Sequence, residues 1–441
     1  MSLISGRNPR DGREVTQSVR SAKMLGFGMH RRSCETRLAQ LQCMAELQFE
    51  KTAIKSRTSR YTMPNGKGSS MIRSLTLTLA FVLMQISCWA QLGTAQAVTT
   101  SSATSAKGGQ QFQVALTKQE SGTTASLRGV CAVSNQVCWA SGADGTCIRT
   151  IDGGKSWQRL EVPGAEDIDF RDIHAWSADR ALVMGIVGPP RFFLTEDGGA
   201  TWQEVYRNDA EGAFFDAVAF WDEKRGIAFG DPLDGRLALI TTSDGGATWQ
   251  DVPRDKIPPA AEREGGFAAS GTCLAVGKDG LALIGLGGDV PGGKARIMRS
   301  DDFGASWTVE ESPLRAAEGA GVFSLCFAGD RVVAVGGNYM QPEETAHTAM
   351  ISPDGGKSWK LLEDQTPHGY RSAVAEVPGS NGKALVACGP TGVDLSADGG
   401  ESWHALSEAG HHAISFAPDG SCWLTGGEGQ VAQLKVSANN R

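Results

Sequence analysis

Apolar and polar residues alternate along short segments that recur through most of the chain. Six such segments lie at 126–132, 169–175, 213–219, 321–327, 369–375 and 410–416. Alternation with a period of two predicts β-strands that have one buried face. A short turn and a Gly-rich stretch, as at 331–337, then predict a second strand. The pattern therefore predicts an all-β chain built from repeats.

An octet with the pattern S/T-x-D-x-G-x-S/T-W punctuates these repeats. Its six copies lie at 150–157, 195–202, 242–249, 300–307, 352–359 and 396–403. Their Asp residues, spaced 45, 47, 58, 52 and 44 residues apart, are Asp152, Asp197, Asp244, Asp302, Asp354 and Asp398. Spacings of about 45 residues are typical of four-stranded propeller blades. The pattern is that of the Asp-box, or BNR repeat, in which Asp accepts N–H bonds across a turn and Gly supplies positive φ. We interpret the six Asp residues as structural.

The last repeat starts at 410 and ends near 436 without an octet, so its outer strand is missing. Residues 112–117 match the stretches that follow the octets elsewhere. We predict that 112–117 is the outermost strand of the last blade, beside 427–434. The chain then forms a seven-bladed β-propeller over residues 112–436, a ring closed by its N-terminal strand.

The segment at 71–97 has the features of a secretory signal peptide. Arg73 precedes an apolar run, and Ala95-Gln96-Ala97 provides a small-residue cleavage site. We therefore expect export to the periplasm or the extracellular space, with no membrane span left after cleavage. Residues 1–70 have no periodicity, and we interpret them as an extension upstream of a true start at Met71, or as a disordered segment. Residues 98–111 are expected to be a flexible leader.

Charge is divided unevenly along the chain. Residues 1–97 carry 14 basic and 5 acidic residues, a net charge of +9, whereas the remainder carries 28 and 44, a net charge of −16. A body this acidic would repel a phosphate backbone, so nucleic acid is excluded as a general partner. Seven of the ten Cys residues follow residue 97, and the sequence leaves open whether Cys131 and Cys138 form a disulfide.

Equivalent positions of the repeats suggest a recognition surface. The third residue of the alternating segment is basic or imidazole in four neighbouring blades, where it is Arg128, Arg171, Arg371 and His412. Loops on the same predicted face end in Arg191, Arg236 and Arg296. Arginine binds carboxylates and phosphates bidentately, so these seven residues are candidates for binding a ligand or partner. The alternative, that each Arg pairs with a nearby acid such as Asp172, Asp231 or Asp234, stays open. No catalytic, metal or cofactor motif is present, and we expect no cofactor.

The signal peptide, the six octets and the seven repeats together resemble the photosystem II stability/assembly factor family. The resemblance implies an exported seven-bladed propeller that binds a membrane-complex subunit during assembly and performs no chemistry. We expect a monomer that binds a protein partner or a glycan. The alternative is a sialidase-like glycoside hydrolase that holds its substrate with the Arg cluster, because sialidases share the octet. A hydrolase would also need two carboxylates flanking the scissile bond.

Overall fold

The alternating segments and the stretches that follow them form strands, and the described residues fold into seven antiparallel sheets. The computed structural model describes residues 98–104, 111–186 and 188–439. The predicted extension at 1–70 and the predicted signal peptide at 71–97 lie outside the described residues. Two strands precede the first complete blade, β1 (Val98–Thr104) and β2 (Gln111–Gln119).

The first three blades each contain four consecutive strands. Blade one consists of β3 (Leu127–Ala132), β4 (Cys138–Gly142), β5 (Thr146–Thr150) and β6 (Gln158–Leu160). Blade two consists of β7 (Phe170–Ala175), β8 (Ala181–Gly185), β9 (Arg191–Thr195) and β10 (Gln203–Arg207). Blade three consists of β11 (Phe215–Phe220), β12 (Gly226–Leu233), β13 (Arg236–Thr242) and β14 (Gln250–Asp251).

Blades four and five are interleaved in the chain. The elements between 254 and 315 are a 3₁₀ helix (Arg254–Lys256), β15 (Glu264–Gly265), β16 (Leu274–Val276), a second 3₁₀ helix (Lys278–Gly280), β17 (Ala282–Gly285), β18 (Gly287–Gly288), β19 (Lys294–Ser300) and β20 (Thr308–Arg315). The next four strands are β21 (Ala320–Ala328), β22 (Arg331–Asn338), β23 (Ala349–Ser352) and β24 (Lys360–Leu361). Blade four contains β16, β17, β19 and β20, whereas β15 and β18 join β21–β24 in blade five.

The last two blades complete the fold. Blade six consists of β25 (Ala373–Glu376), β26 (Leu385–Gly389), β27 (Gly392–Ser396) and β28 (His404–Ser407). The strands after it are β29 (Ala413–Phe416), β30 (Cys422–Thr425) and β31 (Val431–Asn439). Blade seven combines these three with β2 and β1, in the order β1-β2-β31-β30-β29. The first strands of all neighbouring blades contact each other, including β29 and β3, so they surround a common axis.

Strand β2 comes from the N-terminal side of the chain and pairs with the C-terminal strand. Phe112 lies opposite Ala438, and Thr117 lies opposite Gln433. Strand β1 pairs with the other edge of β2, so β2 is not the outermost strand that the sequence suggested. The residues assigned to a flexible leader therefore include a strand, Val98–Thr104.

The apolar core lies between the faces of neighbouring blades, as the alternating pattern requires. One cluster joins Ile227 and Phe229 of blade three to Ala282 and Ile284 of blade four. Another contains Phe112 and Val114 of β2 together with side chains of blades six and seven. The seven cysteines in the described part of the chain are free thiols, Cys131 and Cys138 among them, so the disulfide left open by the sequence is not formed.

The six octets form one repeated turn between the third and fourth strands. In every copy the Asp carboxylate accepts hydrogen bonds from the Ser or Thr hydroxyl two residues before it and from the backbone N–H and hydroxyl four residues after it, at 2.5–3.0 Å. These bonds lower the pKa of Asp152 and Asp354 to about 2. In five copies a Gly with positive φ follows the Asp, whereas blade four has Phe303 there at a φ of 57°.

A segment between blades three and four folds into the centre of the ring. We call residues 264–272 the axial segment. The carbonyl of Ala268 accepts a hydrogen bond from Arg171 of blade two at 2.9 Å, and the Ser270 hydroxyl donates to the Ser372 carbonyl of blade six at 2.7 Å. The Phe267 ring stacks on Phe323 of blade five with centroids 3.7 Å apart. The axial segment therefore touches blades on opposite sides of the ring.

Candidate functional site

Four of the seven first strands carry a β-bulge, those of blades one, two, three and five. The register shifts at Arg128 in blade one, at Arg171 in blade two and at Phe323 in blade five. A bulge adds one residue to one strand and changes the direction of its side chain. This local irregularity delivers side chains from separate blades to a single cavity.

The cavity lies above the axial segment and has a volume of about 330 Å³. Its wall has a basic and imidazole half, formed by Arg128, Arg171 and His412. The other half is aromatic. The remaining lining residues are Phe267, Ala268, Ala269, Phe323, Tyr339, Tyr370, Ser372 and Pro390. We call this cavity the axial pocket.

Arg128 and Arg171 differ in their partners. Arg171 donates to Asp169 at 2.8 Å and to the Ala268 carbonyl at 2.9 Å, so its charge is largely satisfied. The Arg128 guanidinium makes no hydrogen bond or ion pair with any residue that the structure describes. Burial and the charge of Arg171 lower the pKa of Arg128 below its ordinary value. Asp169, whose carboxylate pairs with Arg171, also acts on Arg128 through its charge but does not bond to it. A partly buried guanidinium with no hydrogen-bonded partner favours the binding of an anionic group beside it.

His412 is neutral in this environment. Its Nδ1 lies 3.2 Å from the Leu127 carbonyl, so Nδ1 carries the proton and donates it. Burial and the neighbouring Arg128 lower the pKa of His412 to about 4. The other ring nitrogen is therefore an acceptor at neutral pH, and the positive charge of the axial pocket comes from the two Arg side chains.

Arg371 does not line the axial pocket, which corrects the predicted arc of four residues. The backbone N–H groups of Leu127, Arg371 and His411 donate to equivalent Gly carbonyls of the preceding blades, at 2.9, 3.1 and 2.9 Å. Arg371 is therefore equivalent to Leu127 and not to Arg128. Ser372 takes the axial position in blade six and does line the pocket. A shift of one residue along a strand turns a side chain to the other face, and the alignment of the segments was wrong by that one residue.

Arg371 is instead the centre of a buried network. It is 1% exposed and donates from Nε to Asp394 at 2.5 Å and from Nη1 to the Thr391 hydroxyl at 2.7 Å. Asp394 also lies 2.7 Å from Nδ1 of His368. These contacts fix the loop before β25, which carries Tyr370 to the pocket wall.

The three loop arginines have other partners as well. Arg191 pairs with Glu204 at 3.1 Å, Arg296 pairs with Glu264, and Arg236 donates to the Ile257 carbonyl. None of these three is among the residues that line the axial pocket. Arg191 and Arg296 pair with acids, as the alternative left open by the sequence requires, whereas Arg236 donates to a carbonyl.

The aromatic half of the pocket was not identified from the sequence. Phe323 is the third residue of the segment at 321–327, so the comparison that selected Arg128 also contained it. A Phe in a strand carries no chemical signal, so the sequence alone does not mark Phe323 as a site residue. Phe267 and Tyr339 belong to insertions, whose position in the fold a repeat alignment does not give.

No carboxylate is among the residues that line the axial pocket, although a glycoside hydrolase needs two. Asp172 is buried and accepts the N–H groups of Ile173 and Val218 at 2.8 and 2.9 Å. Burial also raises the pKa of Tyr370 well above its ordinary range, which disfavours this phenol as a nucleophile.

Among the described residues no group of three or more His, Cys, Asp or Glu is placed to hold a metal ion. In the same part of the chain, no helix is long and apolar enough to span a membrane.

Solved structures match the chain in fold, whereas no protein-family model and no curated protein matches it. A structure of YCF48 bound to D1 peptide matches with a TM-score of 0.53 at 16% identity, covering 73% of this chain and 96% of that one. YCF48 from Cyanidioschyzon merolae matches with a TM-score of 0.53 at 15% identity, covering 73% and 98%. The GH74 xyloglucanase from Xanthomonas campestris matches with a TM-score of 0.51 at 15% identity, covering 73% of this chain and 55% of the enzyme. These likenesses show the seven-bladed propeller fold.

Proposed function

We propose that this chain is an exported, non-catalytic propeller that captures a segment of a protein partner in the axial pocket, through a carboxylate on that segment. The observation that carries the proposal is the partly buried Arg128 guanidinium, which makes no hydrogen bond or ion pair with a described residue and lines a cavity whose lining contains no acid. A carboxylate there would make charge-assisted hydrogen bonds with Arg128 while Arg171 keeps its contact with Asp169.

Further support comes from similarity. The sequence resembles photosystem II assembly factors, and YCF48, whose fold is similar, has been solved with a D1 peptide. The signal-like segment at 71–97 supports export, and we propose an envelope-complex subunit as the partner. We take the octets to be Asp-boxes and the pairing of β2 with β31 to be the closure of the ring.

The test is a binding experiment with two peptide pools. One pool contains Asp- and Glu-bearing peptides with free carboxyl termini, and the other contains the same peptides with Asn, Gln and amidated termini. We expect the chain from residue 98 to bind the first pool, as measured by fluorescence anisotropy. Arg128→Gln should weaken this binding by roughly tenfold to a hundredfold, the value of a charge-assisted hydrogen bond. Arg207→Gln is the matched control, because Arg207 pairs with Asp209 on an exposed edge strand.

Stability separates a binding role from a structural one. Arg128→Gln should leave the free energy of unfolding within about 0.5 kcal/mol, because no partner is lost. Arg371→Met should lower it by about 3–5 kcal/mol, because Asp394 would remain buried without its cation. Equal binding of both pools would contradict the proposal. Turnover of a fluorogenic sialoside or of xyloglucan, without any peptide binding, would favour the glycoside hydrolase over the peptide-binding function.

A further inference from the structure

The aromatic half of the axial pocket is rigid at its base and exposed at its rim. Phe323 and Tyr370 are 2% and 4% exposed, and their rings meet edge to face with centroids 4.6 Å apart. Phe323 is also stacked on Phe267 of the axial segment. Because these rings hold each other, the apolar wall is already formed before any ligand arrives.

Exposed large apolar side chains are few, and two of them lie next to each other beside the pocket. Among the described residues only Ile151, Tyr339 and Met340 are large hydrophobic residues with high exposure, at 58%, 54% and 57%. Two of these three are neighbours in the loop between β22 and β23, and Tyr339 lines the pocket. Hydrogen bonds hold this loop, from the Tyr339 N–H to the Gly319 carbonyl at 3.1 Å and from the Met340 N–H to Asn338 Oδ1 at 2.9 Å. Adjacent exposed apolar residues beside a cavity are typical of a contact surface.

Charge and volume limit what can occupy the pocket. Arg128 lines the same cavity and makes no hydrogen bond or ion pair with a described residue, so an occupant with a carboxylate is favoured over a purely apolar one. A volume of 330 Å³ lies at the small end of the range of about 300–1,000 Å³ typical of ligand pockets. It accommodates side chains of an extended segment and not a folded element. Residues of the axial segment line the pocket, and Tyr339, which is 54% exposed, lines it where the pocket reaches solvent.

We propose that the axial pocket selects a peptide segment in which an aromatic or long aliphatic side chain adjoins the carboxylate, and that Phe267, Phe323 and Tyr339 form the subsite for that side chain. The inference rests on the proposed function and adds a second requirement to it. Tyr339 closes the rim over the apolar side chain, while Arg128 binds the adjacent carboxylate.

The test uses four labelled Gly/Ser peptides with blocked ends, containing Phe-Glu, Ala-Glu, Phe-Gln or Ala-Gln at their centre. We expect Phe-Glu to bind at least about tenfold more tightly than Ala-Glu, the value of burying one large apolar side chain. Tyr339→Ala should weaken binding of Phe-Glu and leave Ala-Glu unchanged. Ile151→Ala is the control, because Ile151 is equally exposed but is not among the residues that line the pocket. Tyr339 is exposed, so its removal should not impair folding, which a thermal melt of each variant checks.

The outcomes separate this inference from the function on which it rests. Equal binding of Phe-Glu and Ala-Glu, or an equal loss for both in Tyr339→Ala, overturns the apolar subsite while the carboxylate requirement stands. Equal binding of Phe-Glu and Phe-Gln overturns the carboxylate requirement and with it the proposed function. No binding of any of the four peptides at millimolar concentration overturns both.

Discussion

Three arginines of this chain show how the surroundings of a side chain decide its role. Arg128 borders a cavity without a partner, Arg171 shares the cavity but pairs with Asp169, and Arg371 is buried against Asp394. The residue type is the same in all three. Arg371 differs from the other two in the face of its strand, whereas Arg171 differs from Arg128 because Asp169 lies within bonding distance of it. Of the three, Arg128 has the most hydrogen-bond donors left for a ligand, because its guanidinium bonds to no described residue.

Two buried acids beside the axial segment predict a stability that depends on pH. Asp172 accepts two backbone hydrogen bonds, yet burial raises its pKa to about 7. Asp216 of blade three is fully buried, and burial and the charge of Asp231 raise its pKa well above the ordinary range. A raised carboxyl pKa means that the folded state keeps a proton that the unfolded chain releases. The free energy of unfolding that such a carboxyl contributes is therefore highest at acidic pH and falls as the pH rises.

The expected result concerns Asp172. An unfolded Asp has a pKa of about 3.9, so between about pH 4 and pH 7 the Asp172 carboxyl should lower the free energy of unfolding by up to about 1.4 kcal/mol per pH unit as pH rises. Asp172→Asn should reduce the slope by that amount, as measured by urea unfolding across this window. The control is Asp209→Asn at an exposed position. Identical slopes in the parent and in Asp172→Asn would mean that the carboxyl is ionised throughout.

At the scale of the element, each octet turn holds the outer hairpin of its blade. In blade four, Asp302 accepts the Ser300 hydroxyl at 2.8 Å and the Ser306 N–H and hydroxyl at 2.9 and 2.6 Å. This turn lacks the Gly that follows Asp in the other copies, because Phe303 holds the left-handed conformation instead. A residue with a Cβ is strained there, so the carboxylate bonds matter more for the shape of this turn.

We expect Asp302→Ala to lower the free energy of unfolding by about 1 kcal/mol, near the low end for bonds to a charged group because this carboxylate is largely exposed. The bonds lower the pKa of Asp302. Its contribution is therefore complete above the unfolded pKa of about 4 and is lost as pH falls below it. Unfolding of the parent and the variant should be compared at neutral and acidic pH, with the exposed Asp364→Ala as control. A difference that does not shrink in acid would show that the charge is not responsible.

The elements divide clearly into those that the sequence could predict and those that it could not. Octet spacing and alternation predict the blades, because both follow from local turn and strand chemistry. Arg128, Arg171 and His412 were found because their blades keep the same register. Arg371 was misplaced because its blade differs by one residue, which alternation alone does not reveal. Phe267 was missed because its position depends on contacts between the axial segment and distant blades.

At the scale of the whole molecule, the ring depends on contacts between neighbouring blades, and β2 joins the two ends of the described chain. Its last residue, Gln119, is buried and links blade seven to blade one. The Gln119 Oε1 accepts the indole N–H of Trp157 at 3.2 Å and of Trp423 at 3.1 Å, and its Nε2 donates to the Gly153 carbonyl at 3.2 Å. Phe112 and Val114 of the same strand fill the core between blades six and seven. The strand therefore contributes to three blades at once.

Truncations from the N-terminal side test this dependence. Chains that begin at residue 98, 105 or 120 should be compared by thermal and urea unfolding. Removal of 98–104 deletes only the outer strand β1, and we expect little change in the free energy of unfolding.

Removal of 98–119 also deletes the nine paired positions of β2 with β31. The loss of Phe112 and Val114 from the core alone should lower the free energy of unfolding by at least about 3 kcal/mol. The exposed edge of β31 should also promote association, measurable by light scattering. If the chain beginning at 120 unfolds at the same urea concentration as the chain beginning at 98, the blades do not need β2 and the ring is held by its inner strands alone.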